Sequence, residues 1–252
     1  MKNKVVMITG GTSGIGLAAA ELFMKEGASV TIAGRRAEEG QQALARLKAI
    51  HEQVSFVPTD ISKSESVRRL ISETVKRFGK IDIAFNNAGI EGNFEPIVHT
   101  PEQDLHDVID INLKGTWLSI KHEVTQMKAQ GHGGVIINTS SWLSKGAFLN
   151  SSLYSASKAG IDAMIRSVAL EVTSMGIRIN NVNPGYIVTP MFRRLMDPAG
   201  PEAQPFRKHA PIGRFAEPRE VAELVLWLAS EKASFVTGQS IFVDGGLAIS
   251  TH

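Results

Sequence analysis

Tyr154 and Lys158 stand four residues apart in Leu153-Tyr154-Ser155-Ala156-Ser157-Lys158-Ala159-Gly160. The small, good helix formers after Tyr154 predict that this stretch opens a helix, which places a phenol and an ammonium one turn apart on one face. A tyrosine ionises near ~10, so at neutral pH it exchanges protons poorly until something stabilises its phenolate. A fixed cation one turn away does so by favouring the charged form. Ser141 lies thirteen residues earlier, at the end of the β-branched run Ile136-Ile137-Asn138-Thr139-Ser140-Ser141. That run reads as a strand ending in hydroxyls, and a hydroxyl there can face the oxygen that Tyr154 protonates. The same Tyr-x-x-x-Lys spacing also fits a solvated helix face. The surrounding elements decide between the two.

Val5 to Ile8 is a short apolar run that breaks into Thr9-Gly10-Gly11-Thr12-Ser13-Gly14-Ile15-Gly16, followed by Ile15, Ala18, Ala19, Leu22 and Phe23 at helical spacing. Strand, glycine turn and helix in that order form a phosphate cradle, because glycines admit the backbone close to an anion and the helix N-terminus attracts it. Glycines also serve tight turns for steric reasons alone, so the placement between strand and helix carries the reading. Ala28 to Ala33 reads as a second strand, ending at Gly34-Arg35-Arg36. In dinucleotide folds an acidic residue at this end binds a ribose diol, whereas a nearby arginine accepts a 2′-phosphate. Here Gly34 holds the closing position and Arg35 and Arg36 follow, which predicts NADP(H) over NAD(H); a solvated basic pair is the plain alternative.

Strands then alternate with helices. Val54 to Val57 reads as a third strand ending at Pro58-Thr59-Asp60, and Ile81 to Phe85 as a fourth ending in Asn86-Asn87-Ala88-Gly89. Thr100-Pro101-Glu102-Gln103 has the spacing of a capping box with proline at the first helical position. Asn112 sits in the mainly apolar helical stretch Ile111 to Leu118, where it either bonds neighbouring backbone or holds a water that relays protons to Lys158. The helix from Leu153 toward Ser174 is apolar on more than one side, as at a subunit interface. Ile177 to Val182 forms a sixth strand and Ser240 to Val243 the last. Residues 191–216, with prolines at 198, 201 and 205, read as a poorly helical lid. The alternation predicts an α/β, Rossmann-type doubly wound parallel sheet of about seven strands with helices on both faces, a single domain over 1–252. Ligands bind such sheets at the carboxyl ends of the strands, where Asp60, Asn87, Ala88, Gly89 and Ser141 fall.

The chain's 252 residues suffice for one well-buried core, and no linker, repeat or low-complexity tract divides them. A net charge of +2 gives no overall attraction to nucleic acid or membrane. The absence of cysteine excludes disulfides, thiolate metal sites and cysteine nucleophiles. The histidines, among them His99, His106 and His122, lack metal-ligand spacing, so no metal site is expected. The apolar run before Thr9-Gly10 is only the four residues Val5 to Ile8, and no run reaches the eighteen or so of a membrane helix, so a soluble cytoplasmic protein is expected.

Taken together, the Thr9-Gly10-x-x-x-Gly14-Ile15-Gly16 turn, Asn86-Asn87-Ala88-Gly89, Ser141 with Tyr154-x-x-x-Lys158, and Pro184-Gly185 resemble the motifs of the short-chain dehydrogenase/reductase family, single-domain branch, in order and approximate spacing over essentially the whole chain. The resemblance implies hydride transfer between nicotinamide and an alcohol or carbonyl carbon, with Tyr154 as acid/base. It implies that Lys158 lowers the pKa of Tyr154 and holds the nicotinamide ribose, that Ser141 rather than Ser140 bonds the substrate oxygen, and that Asn112 anchors a relay water. Gly10, Gly14, Ile15 and Gly16 would line the pyrophosphate turn. Asp60, with Ile61 beside it, would meet adenine, and Asn87, Ala88 and Gly89 would pass behind the ribose. Pro184, Gly185, Ile187 and Thr189 would contact the nicotinamide end. Ser13 departs from the basic residue that many NADP-using relatives carry there, leaving Arg35 and Arg36 as phosphate readers. The resemblance also implies a homotetramer.

Substrate identity lies outside these motifs. Trp142, Leu143, Phe148, Leu149, Tyr186, Met191, Phe192, Met196 and Phe206 point to a hydrophobic or aryl ketone, or in part simply pack the lid, while Arg193, Arg194, Arg207 and Lys208 read first as a solvated basic face and second as a site for an anionic acyl-carrier thioester. A non-catalytic dinucleotide-binding regulator on the same fold is the alternative from another class, and the retention of Asn112, Ser141, Tyr154 and Lys158 together favours the enzyme.

Overall fold

The computed structural model describes residues 1–250. Along the chain run β1 (Val5–Thr9), α1 (Gly14–Lys25), β2 (Ser29–Gly34), α2 (Ala37–Lys48), β3 (Val54–Pro58), α3 (Ser64–Phe78) and β4 (Ile83–Asn86). Next, α4 (Glu102–Val108) passes through a π-helical turn, Ile109–Lys114, into α5 (Gly115–Gln130). Then come β5 (Gly134–Thr139), α6 (Ser152–Val172), β6 (Ile177–Pro184), α7 (Pro190–Leu195), α8 (Gln204–His209), α9 (Pro218–Ala229) and β7 (Ser240–Val243). The seven strands form one parallel sheet in the order β3-β2-β1-β4-β5-β6-β7. The order reverses between β1 and β4, the crevice where a doubly wound sheet binds its ligand.

Period-two alternation divides the buried strand residues between two cores. Val6, Ile8, Val30 and Ile32 pack with α1 and α9 on one face, and Met7, Ala84, Ile136 and Ile179 pack with α3, α5 and α6 on the other. Register matters most at the strand ends. Asn86 of β4 pairs with Asn138 of β5, and Asn138 with Asn181 of β6, so three asparagines stand side by side on the face that meets α5 and α6.

Three local expectations change. Thr100 builds no capping box: α4 starts at Glu102 after Pro101, and the Thr100 hydroxyl donates back to the carbonyls of Glu95 and Pro96. Asn112 lies in a π turn rather than a regular helix. The 191–216 segment is more helical than its prolines predict, because Pro201 opens a 3₁₀ turn and Pro205 sits in the first turn of α8, where a missing N–H costs nothing. No helix of the described residues is long and apolar enough to cross a membrane.

Candidate active site

A cleft of about 680 Å³ runs along the carboxyl ends of the strands, from Arg35, Arg36 and Asp60 at one end to Ser141, Tyr154, Met191, Phe192 and Met196 at the other. Its walls bring together Gly10, Gly14, Ile15, Ile61, Asn87, Ala88, Gly89, Lys158, Pro184, Gly185, Ile187 and Thr189 as expected. Gly16 and Asn112 lie outside the wall. A Cβ on Gly16 would collide with the Gly10 carbonyl, so this glycine lets α1 press against the turn instead of touching a ligand. Gly14 takes φ +53°, which an L side chain rarely adopts. No side chain caps α1, so its first-turn N–H groups remain for an anion. An elongated cleft with a diphosphate cradle at its middle fits a dinucleotide. Asn87 braces the cradle: its amide donates to the Gly10 carbonyl at 3.1 Å, and its amide oxygen accepts from the Thr139 hydroxyl at 3.1 Å.

At the reacting end, Ser141 caps a 3₁₀ turn, Trp142–Ser144, and its Oγ accepts the Leu143 N–H at 3.1 Å. That bond fixes the oxygen and leaves its proton to donate, and the hydroxyl lies close enough to the Tyr154 phenol to favour its charged form. Ser140 is spent elsewhere, donating to the Lys158 carbonyl at 3.1 Å and tying α6 to β5. Lys158 Nζ donates to the Thr139 carbonyl at 2.8 Å and stands 5.5 Å from the centre of the Tyr154 ring. The Asn112 amide exchanges bonds of 2.9 Å with both backbone groups of Ile90 and donates to Ser157 Oγ at 3.2 Å. The residue thus clamps the segment after β4 to α6.

The electrostatics run opposite to the simple expectation for Tyr154. Burial pushes its phenol up to about 12, the Ser141 hydroxyl opposes this, and the Glu91 carboxylate adds to it. Burial also drives Lys158 down to about 8, opposed by the negative charge of Asp162. At neutral pH the pair is therefore a protonated phenol beside an ammonium, the state of a poised proton donor.

Of the proposed substrate contacts, Trp142, Leu143, Phe148, Tyr186, Met191, Phe192, Met196 and Phe206 line the cleft, whereas Leu149 is 81% exposed and does not. Of the basic candidates, Arg194 lines the cleft but is held by Glu91 through bonds of 2.8 and 3.1 Å, and Arg207 stacks on Phe215. Arg36 pairs with Glu39, which leaves Arg35 as the freer cation. Sequence reasoning missed Ile90, Glu91 and Phe94 in the wall, although their place just after a strand's carboxyl end was the available signal. It also gave His209 no part, yet this ring meets the Tyr186 hydroxyl at 3.1 Å. Among the described residues no cluster of metal-ligating side chains occurs.

A family model described as Enoyl-(Acyl carrier protein) reductase matches residues 10–248. The Short chain dehydrogenase/reductase astE of Aspergillus oryzae (strain ATCC 42149 / RIB 40) is 37% identical over 251 residues, 99% of this chain and 96% of that protein. Cyclohexanol dehydrogenase of Acinetobacter sp. (strain SE19) is 37% identical over 243 residues, 96% and 94% of the two chains. The solved structure of an NAD+-bound xylitol dehydrogenase superposes with a TM-score of 0.92 at 29% identity, covering 97% of this chain and 99% of that one.

Proposed function

Since the chain belongs to the short-chain dehydrogenase/reductase family and is an oxidoreductase of the alcohol dehydrogenase/ketoreductase type, we propose that it interconverts an apolar, ring-bearing ketone and its secondary alcohol, with Tyr154 as acid/base. A nicotinamide dinucleotide, which the family binds, supplies or accepts the hydride. Tyr154 donates the proton that the carbonyl oxygen must gain, and Ser141, oriented by the Leu143 N–H, donates a hydrogen bond to the same oxygen. Lys158 stabilises the phenolate left behind. Asn112, holding Ile90 and Ser157, keeps the two walls of the site together and anchors the water that returns a proton toward Lys158.

The observation that carries the reading is the convergence of Ser141, Tyr154 and Lys158 in one cleft whose outer wall is aromatic: Phe94, Trp142, Phe148, Tyr186, Phe192 and Phe206. Such a wall suits a flat apolar ring, and one relative is named for a ring alcohol. An acyl-carrier thioester fits less well, because Arg194 is neutralised by Glu91. We assign NADP(H) as the preferred dinucleotide from Arg35 and the absence of a carboxylate at Gly34, with NAD(H), named for the xylitol dehydrogenase, as competitor. A cytoplasmic homotetramer completes the reading; the apolar groove of Ile109, Leu113, Trp117, Ala163 and Met164 supports association.

The test follows nicotinamide absorbance with NADPH and NADH against cyclohexanone, aryl ketones and a β-ketoacyl thioester. We expect turnover of a ring ketone with NADPH, and a NADPH-specific loss of affinity in Arg35→Ala of roughly tenfold or more. Preference for NADH overturns the Arg35 assignment, and turnover of the thioester alone overturns the substrate class.

A further inference from the structure

Asp162 takes no part in the chemistry above, yet it is a buried carboxylate, 5% exposed, one turn beyond Lys158 on α6. It forms none of the ion pairs found among the described residues. Its two oxygens are instead held by neutral amides from β6: Asn181 Nδ2 at 2.8 Å and Asn183 Nδ2 at 2.9 Å. The Asn183 amide also reaches the Ser141 carbonyl at 3.0 Å and Ser144 Oγ at 2.9 Å. One carboxylate therefore ties the helix that carries Tyr154 and Lys158 to the turn that carries Ser141. The groups facing Lys158 are otherwise short of negative charge. The ammonium donates to the Thr139 carbonyl of β5, neutral Asn112 of the π turn flanks it across Gly89, and the Ser140 hydroxyl just after β5 bonds only the Lys158 backbone carbonyl. Glu91, after β4, acts on the Tyr154 phenol but is itself held by Arg194. A buried ammonium with one neutral acceptor loses its proton readily unless an opposite charge lies nearby.

We propose that Asp162 is a positioning residue: it keeps the buried Lys158 ammonium charged and, through Asn183, holds Ser141 in register with Tyr154. This rests on the oxidoreductase reading for its consequence, but not for its measurement. The titration of Lys158 is read by NMR of ε-¹³C-lysine in the full-length protein, with Lys158→Gln assigning the resonance, and needs no substrate. Asp162→Asn, which preserves shape but keeps only one of the two acceptor oxygens, is expected to move the Lys158 titration down by roughly one pH unit or more. The alkaline limit of ketone reduction is expected to move the same way, in kcat more than in KM, and Asp162→Glu to restore both in part. Should Asp162→Asn not fold, the pair Asp162→Leu with Asn183→Ala removes the same charge and one of the two amides that face it, while Asn181 keeps Ser240 Oγ as an acceptor at 3.2 Å. An unchanged Lys158 titration in either folded variant overturns the proposal. Absence of turnover in the unmodified enzyme would count against the oxidoreductase reading alone.

Discussion

Burial works against both members of the Tyr154–Lys158 pair, raising the phenol and lowering the ammonium, so neither group has its ordinary acidity. The chain has two tyrosines, and burial pushes Tyr186 up to about 12 as well. Spectrophotometric titration of the folded protein should therefore show no phenolate near the ordinary value of ~10, with both rings ionising near 12 or only on alkaline unfolding. The sign follows from linkage: between about pH 10 and about pH 12 the unfolded chain has released protons that the native state keeps, so stability falls as pH rises through that window. A phenolate appearing at or below ~10 in the folded protein would contradict this environment. The spacing of Tyr154 and Lys158 was legible in the sequence because helix geometry alone relates them. Their acidities were not, since the burial comes from β5 and from the segment of Phe94, whose ring lies 6.5 Å from Tyr154.

The row of asparagines across β4, β5 and β6 has a buried carboxylate at each end, Asp162 from α6 and Glu123 from α5. Asn86 Nδ2 donates to Glu123 Oε2 at 2.9 Å and to Asn138 Oδ1 at 3.0 Å, and Asn138 continues to Asn181 at 3.0 Å. Glu123 is fully buried, and burial drives its pKa up to about 8 against the Asn86 bond. Its native state thus keeps a proton that the unfolded chain releases between about pH 4.5 and about pH 8, so this residue lowers stability as pH rises through that range. Glu123→Gln keeps the acceptor for Asn86 and removes the titration. Denaturant unfolding should show the variant gaining on the wild type by a few kcal/mol between about pH 5 and about pH 8. An equal difference at both ends would mean that Glu123 is charged throughout. The alternating strands and helices were legible from apolar runs and glycine or proline boundaries. The asparagine row was not, because each member reads singly as a strand-end polar residue and only the register of neighbouring strands joins them. Nor was the π turn at Asn112, since i→i+5 bonding leaves no apolar period of its own. Pro201 and Pro205 misled in the other direction, reading as helix breakers where they start turns.

At the scale of the whole molecule, the sheet's reversal between β1 and β4 sets the glycine turn after β1 in one cleft with Ser141, Tyr154 and Lys158, and helices α7 and α8 supply part of its apolar wall. The surface leaves other apolar groups in water, including Leu170 at 86%, Trp227 at 39% and Phe235 at 101% exposure, besides the groove at Trp117. Scattered singly, such groups are ordinary on a monomer, so the apolar groove at Trp117 carries the expectation of association. Light scattering should give a mass four times the 27.3 kDa chain, and a stable monomer at micromolar concentration would refute the tetramer. The central claim is that Tyr154 moves the proton, and Tyr154→Phe tests it with the loss of one oxygen from a ring packed among others. We predict that dinucleotide affinity stays within about threefold of the unmodified enzyme while ketone turnover falls by ~10³-fold or more. Tight dinucleotide binding with turnover reduced less than about tenfold would place the proton donor elsewhere in the cleft.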